Sequence, residues 1–342
     1  PIANVSQAGL IEGIEVYGVT SIKQLYLHLK KECLMNAYVP GEHKERICEA
    51  ATDTQLPLLD DIHGQETAKR ALLSGPPGAG KTMLAKALTG LLPELSLNEK
   101  IAATKLHSLA GNADGEIIAK RPFRSPHHTA SQIAIVGGGN HPKPGEISLA
   151  HTGVLFLDEL PEYPRSTLEA LRQPLEDKKI DVSRANGHVS YPADFMLVGT
   201  MNPCPCGYFG DSTKECTCTS TQILAYQKRL SGPLLDRIDI NVNVSRLSND
   251  ELLQNKPSSN SQHLSAVAAI NRAINAQKQR YGSSIIYNAS LTNRDLKKHA
   301  PLSPDVRAIL LMATEKLSLS ARSYFKIIKV ARTIADLEGC TD

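Results

Sequence analysis

No apolar run in the 342-residue chain approaches the roughly 18 residues that a membrane-spanning helix needs. The opening stretch, PIANVSQAGLIEG, lacks the basic-then-apolar layout of a secretory signal. Excess charge is absent too. The net charge of +3 is too small to announce a nucleic-acid partner, although a basic lining can hide inside a near-neutral total. Cysteine is sparse for a disulfide framework: seven in so long a chain, with Cys33, Cys48 and Cys340 scattered, argue against a secreted scaffold. The expectation is a soluble, cytoplasmic protein. A composition of 41% hydrophobic and 21% charged residues is ordinary for a globular chain, and the length suggests about two domains.

What is present is sharply patterned. GPPGAGKT, spanning Gly75, Pro76, Pro77, Gly78, Ala79, Gly80, Lys81 and Thr82, fits the phosphate-loop pattern at every fixed position. A helical apolar pattern follows from Met83 through Leu84, Leu88 and Leu91 to a stop at Pro93. The glycines let backbone N–H groups close around phosphate oxygens at a helix N-terminus. Lys81 would reach the β- and γ-phosphates of ATP, and Thr82 would ligate Mg²⁺. Only RALL separates the helical stretch GQETAKRA from Gly75, which looks too short to cross a sheet. Either the strand is displaced or about ten residues are missing before Gly75.

TGVLFLDEL, Thr152 to Leu160, is an apolar strand ending in two carboxylates. Asp158 would hold Mg²⁺ and Glu159 would polarise the attacking water. About 75 residues after a phosphate loop, such a pair completes a nucleotide hydrolase. DFMLVGTMN, Asp194 to Asn202, is a second strand ending in a polar residue, placing Asn202 to orient the water. Arg237 lies in SGPLLDRIDI, and Arg322 lies in the first turn of a helix capped by Ser320 and closed by Gly339. An arginine there opposes the helix dipole, and a phosphate partner would explain it.

Together these motifs resemble an AAA+ ATPase, an α/β parallel-sheet core carrying a small all-α lid. RPFRSPHHTAS, VGGGNHPKPGEISLAHTGVLFLDELPE, LEALRQPLEDKKIDVSRANG and NPCPCGY narrow the likeness to the magnesium-chelatase-like ComM/YifB family. The resemblance covers nearly the whole chain. It implies a cis site of Lys81, Thr82, Asp158, Glu159 and Asn202, Arg322 as second sensor, and Arg237 as an arginine finger for a neighbouring subunit. It further implies a homo-oligomeric, hexameric ring that moves on single-stranded or branched DNA and drives branch migration during natural transformation.

The domain boundaries expected are 1–30 for the end of a Lon-protease-like N-terminal domain, read as a strand and a helix, 31–57 for a linker, 58–247 for the ATPase core, and 248–342 for a lid lacking its last helix. In the lid, a capping box opens at Ser248, Leu264, Val267, Ile270 and Ile274 share a helix face, and Ser303-Pro304 start another helix.

KIDVSRANGHVSYPADF alternates around Asn186-Gly187, a hairpin signal. In the resembled family such a hairpin projects into the ring's pore, where Arg184 and His188 at its tip, and Lys178 and Lys179 at its base, would track phosphates. The opposite reading is a solvated hairpin with ordinary surface charges. The insert residues Arg121, Arg124, His127 and His128 would support a subunit interface, touch DNA or bind a metal. Cys204, Cys206, Cys216 and Cys218 stand as two Cys-x-Cys pairs after Asn202, open to a structural zinc, to free thiols packing a loop, or to redox chemistry.

Two readings compete with the DNA motor. One is a chelatase-type motor subunit, against which NPCPCGY speaks. The other is the ATPase part of a Lon-like protease. A nucleotide-binding module without turnover is disfavoured by Glu159 and Arg237.

Overall fold

A computed structural model describes residues 1–11, 13–39, 71–112, 116–139, 142–184, 187–211, 214–244, 261–282 and 286–340. Most of the expected linker, the GQETAKRA stretch up to Arg70 and the capping box at Ser248 lie outside the described residues.

The N-terminal segment contains a helical turn at Val5–Ala8 (α1) and a helix at Ile22–Leu29 (α2), whose cap Ser21 accepts from Gln24 N–H. The strand expected there does not form among the described residues. The chain between them is extended, but only isolated backbone bonds hold it, from Ile2 N–H to the Val19 carbonyl and from Tyr38 N–H to the Val16 carbonyl.

The core is a five-stranded parallel sheet. Ala71–Ser74 (β1), Phe123–Arg124 (β2), Val154–Leu157 (β5), Met196–Met201 (β8) and Ile240–Asn243 (β9) lie in the order β2-β5-β8-β1-β9. β1 is therefore flanked on both sides, and it runs directly into Gly75. Four residues do cross the sheet, as they also do in β5, so no displaced strand is needed. At about 3.3 Å per residue four residues suffice, since all four of β1 pair with β8 on one side and with β9 on the other.

Every side chain of β5 is buried, as in a strand covered on both faces. Alternation along β1 and β5 divides the core. Leu72, Leu155 and Leu157 face one cluster, while Leu73, Val154 and Phe156 join Val198 in another. Onto the second face packs Lys81–Gly90 (α3), through Leu84 and Ala85. Leu97–Ala110 (α4) begins with a full capping box between Ser96 and Glu99 and puts Leu106 into the first cluster.

Two small ribbons project from this core. Gly137–Gly138 (β3) pairs with Lys143–Pro144 (β4), between the helices Gln132–Val136 (α5) and Glu146–Leu149 (α6). After Arg165–Ala170 (α7) and Arg172–Asp177 (α8), Lys179–Arg184 (β6) pairs antiparallel with Gly187–Pro192 (β7). Arg184 opposes Gly187, so Gly187, expected in the turn, belongs instead to the paired strand. Ile180, Val182 and Tyr191 bury one face of this hairpin in the core, and the Tyr191 hydroxyl donates to the Pro142 carbonyl.

Ser220–Gln227 (α9) and Gly232–Leu235 (α10) lead to the lid, made of Ser261–Tyr281 (α11), Asn293–His299 (α12), Pro304–Leu317 (α13) and Ala321–Glu338 (α14). Ser303 and Ser320 cap α13 and α14, and Gly339 closes α14 in the left-handed conformation. On α11 the buried positions are Ala273 and Gln277, whereas Leu264 is exposed, so the inward face is centred further along than the apolar pattern predicts. Polar residues fasten this face: Asp336, with a fully buried carboxylate, takes bonds from Arg280, Arg332 and Asn288. Burial alone would raise the carboxyl's pKa, but these donors prevail and hold it below the usual range.

Candidate active site and metal centre

Three neighbouring strands deliver the site. β1 ends at the phosphate loop, β8 at Asn202 and β5 at the Asp158-Glu159 pair, all at the C-terminal edge of the sheet, the usual crevice of open α/β folds. Gly78 and Gly80 both have φ near +79°, and a Cβ at either would meet nothing within 4 Å. Glycine is thus required there by backbone conformation, with the loop open on that side.

Lys81, the first residue of α3, donates through Nζ to the Gly75 carbonyl (2.7 Å), the Pro76 carbonyl (3.0 Å) and Asn202 Oδ1 (3.2 Å). Burial lowers its pKa, opposed by Asp158 and Glu159. Thr82 Oγ1 lies 3.4 Å from Asp158 Oδ2. The hydroxyl of Thr200 donates to Asp158 Oδ1 (2.5 Å) and accepts from the Glu159 N–H (2.9 Å). Glu159 itself sits at φ +53°, ψ +51°, a left-handed conformation unusual outside glycine, and its carboxylate is 3.9 Å from His128 Nδ1.

The other candidates fall elsewhere. Arg237 and Arg322 both donate to the carboxylate of Glu176, on α8, and Arg237 also holds the Pro233 carbonyl. Neither bonds to the phosphate loop or to the Asp158-Glu159 pair among the described residues, so Arg322 is placed beside the finger candidate rather than over the chain's own loop. Lys326 Nζ donates to the Asp236 and Ile238 carbonyls, tying the start of α14 to the Arg237 segment.

Arg121 and Arg124 are occupied. Arg121, with its side chain 12% exposed, binds Glu99 and the Pro93 and Thr152 carbonyls, and Arg124 makes a two-pronged ion pair with Glu146. These are structural anchors, not free phosphate contacts. Lys178 pairs with Asp194, Lys179 lies 3.8 Å from Asp181, and His188 bonds Ser183 on the exposed strand pair next to the tip.

The four cysteines converge. Cys204, Cys206, Cys216 and Cys218 place their sulfurs within 4.8 Å of one another, with separations as short as 3.3 to 3.6 Å. Sulfurs about 2.3 Å from a tetrahedral zinc stand about 3.8 Å apart, so the set fits a metal. The N–H groups of Cys206 and Phe209 point at Cys218 and Cys204 sulfurs. Bonds led by the Tyr208 N–H bring the Cys206 thiol down to about 5. The same loop abuts the phosphate loop: a Cβ added to Gly207, at φ +85°, would lie 2.7 Å from Pro77 Cδ.

With this geometry in place, comparisons with known proteins are decisive. The family model described as magnesium chelatase, subunit ChlI, matches residues 59–252, and the model of its C-terminal region matches 260–342. Competence protein ComM of Haemophilus influenzae is 45% identical over 293 residues, 82% of this chain and 56% of that protein. YifB of Salmonella typhimurium is 42% identical over 331 residues, 91% of this chain and 63% of that protein. A Mycobacterium tuberculosis protein is 38% identical over 355 aligned positions, 100% of this chain and 68% of that protein. The chain belongs to the ComM/YifB family.

Membership in the magnesium-chelatase-like ComM/YifB family makes this an AAA+ type ATPase fold, with ATP and Mg²⁺ implied. The chain spans 56 to 63% of the length of the first two relatives. The last alignment is 13 positions longer than the chain, so at least that many aligned positions have no counterpart here. No helix among the described residues is long and apolar enough to cross a membrane.

Sequence reasoning did not give the contacts of three residues: Thr200 and His128 at the candidate site, and Glu176 beneath the two arginines. A signal existed for Thr200, a hydroxyl inside an otherwise apolar strand. For His128 the sequence suggests a subunit interface, DNA contact or a metal, and the position of Glu176 in LEDKK gives no hint that two distant arginines meet on it.

Proposed function

We propose that this chain is the ATPase part of a ring-forming DNA motor that drives branch migration while incoming DNA is recombined in natural transformation. The observation that carries the reading is the junction of Lys81 with Asn202, beside Thr82 and Asp158 at 3.4 Å and the adjoining Glu159. The site fits magnesium-bound ATP: a left-handed glycine loop opens a ten-residue helix, an ammonium lies within it, and a hydroxyl and a carboxylate stand side by side. Bound there, the magnesium nucleotide supplies the phosphoryl group and the neutralisation of its charge. Lys81 would hold the phosphates, Thr82 and Asp158 the metal, Asn202 the attacking water, and Glu159 would accept its proton. Arg237, and Arg322 beside it, would serve a neighbouring subunit in a homo-oligomeric, hexameric ring.

The β6-β7 hairpin is the favoured DNA contact, through Arg184, His188 and Lys179, reading backbone charge rather than bases. The four-cysteine centre would hold one structural zinc. With four protein ligands it would leave no open position for catalysis. Cytoplasmic residence is consistent with the absence of a spanning helix among the described residues.

The test is ATP-dependent migration of a three-stranded DNA junction by the full-length protein, with Lys81→Ala as control. Migration that the substitution abolishes supports the motor. ATP hydrolysis without binding or movement of branched DNA rejects it, and favours a second reading, remodelling of a protein partner. That reading has one observation behind it: both family models are of magnesium chelatase, subunit ChlI.

A further inference from the structure

We infer that His128 is a positioning residue for Glu159, delivered into the ATP site by the RPFRSPHHT loop. The inference rests on Glu159 being the group that activates water. Its carboxylate is about half exposed, and the His128 imidazole stands beside it, Nδ1 to Oε2 at 3.9 Å. A carboxylate on a left-handed residue at the end of a strand needs an external partner to define its side-chain direction, because neither helix nor ladder packs it.

The imidazole is itself held from several sides. Its ring lies 4.1 Å, centroid to centroid, from that of His127, whose Nδ1 bonds the Thr129 hydroxyl at 2.8 Å. Tyr163 meets it edge-on at 6.3 Å. That tyrosine is 3% exposed and fixes the loop by donating from its hydroxyl to the Pro126 carbonyl at 2.5 Å. The two arginines of the motif complete the mounting. Arg121 clamps the loop's start to Glu99 and to the Thr152 carbonyl, and Arg124 clamps its middle to Glu146. All these restraints converge on two residues, and only one of the two histidines points to the Asp158-Glu159 pair. The motif's arginines and tyrosine partner therefore act on catalysis through where they hold one imidazole.

A positioning role separates from binding and from folding in kinetics. Displacing a reacting group by about 1 Å costs up to about a hundredfold in rate, so partial loss of restraint should lower kcat by about tenfold. With the full-length protein, His128→Ala should lower kcat by that factor while the Kd of a fluorescent ATP analogue stays within twofold. His128→Asn, which keeps a donor where Nδ1 stands, should recover most of kcat. Combining His128→Ala with Glu159→Gln should be no slower than Glu159→Gln alone, because the first change acts through the second residue.

The inference is overturned if His128→Ala leaves kcat at the wild-type value, if its loss is matched by weaker nucleotide binding, or if His128→Asn is no better than His128→Ala. Glu159→Gln separates the two levels of the argument. Turnover retained by that variant removes the role of Glu159 itself, whereas turnover abolished there with His128→Ala unaffected removes only the role of His128.

Discussion

Thr200 is 1% exposed, and its one oxygen serves both ends of the Asp158-Glu159 step, donating to the first carboxylate and accepting from the second residue's N–H. Thr200→Val keeps the shape of the side chain and removes both bonds. The N–H of Glu159, in a part-buried bond, then loses its acceptor, at a cost of about 1 kcal/mol in stability. Asp158 also loses the donor that fixes its rotation toward Thr82. We expect hydrolysis to fall about tenfold or more and nucleotide affinity to change little, checked by kcat and by titration of an ATP analogue, with urea unfolding to read the stability loss. An unaltered kcat would show that Asp158 is held by its strand alone. The phosphate loop, Asp158, Glu159 and Asn202 were legible in the sequence because each stands at a strand end inside a spaced motif. Thr200 and His128 were not, because their roles arise from pairing β5 with β8 and from folding the insert back on Glu159, and no local pattern records either.

At the scale of elements, caps and periodicity carried well where the signal is local. Ser303, Ser320 and Gly339 bound their helices as the sequence suggests. The failures came where tertiary contacts decide: an apolar N-terminal stretch finds no strand partner among the described residues, and the α11 face is set by Asp336 and Gln277 rather than by Leu264. The cysteine loop is the element whose chemistry the sequence left open, and the convergence of four sulfurs now favours a metal. Because the loop packs Gly207 against Pro77 and follows directly from Asn202, metal binding and nucleotide binding should be coupled. Protein purified without chelator should contain about one zinc per chain. Stripping it should lower the melting temperature and weaken ATP binding, both restored by added zinc. Protein without zinc by elemental analysis, binding ATP normally, would leave the cysteines as loop-packing thiols.

At the scale of the whole molecule, what stands out is the pairing of Arg237 with Arg322 on Glu176. A core arginine and a lid arginine share one carboxylate, and Ser323 and Lys326 bind the lid helix to the same segment. Core and lid thus present two cations from one patch, while Lys81, Thr82, Asp158, Glu159 and Asn202 gather at the candidate ATP site. On the proposed reading, a site split in this way would work only when chains associate, each supplying arginine to the next. Arg237→Ala should then bind ATP normally and hydrolyse it at least about a thousandfold more slowly, and Lys81→Ala should fail for the opposite reason. Neither variant is active alone. Mixed before assembly, they form interfaces in which the intact loop of one faces the intact arginine of the other, so ATPase activity should reappear in the mixture and be absent from each component. A mixture as inactive as its parts would mean that Arg237 serves its own subunit or only the fold, and the case for an obligate ring would lose its physical basis.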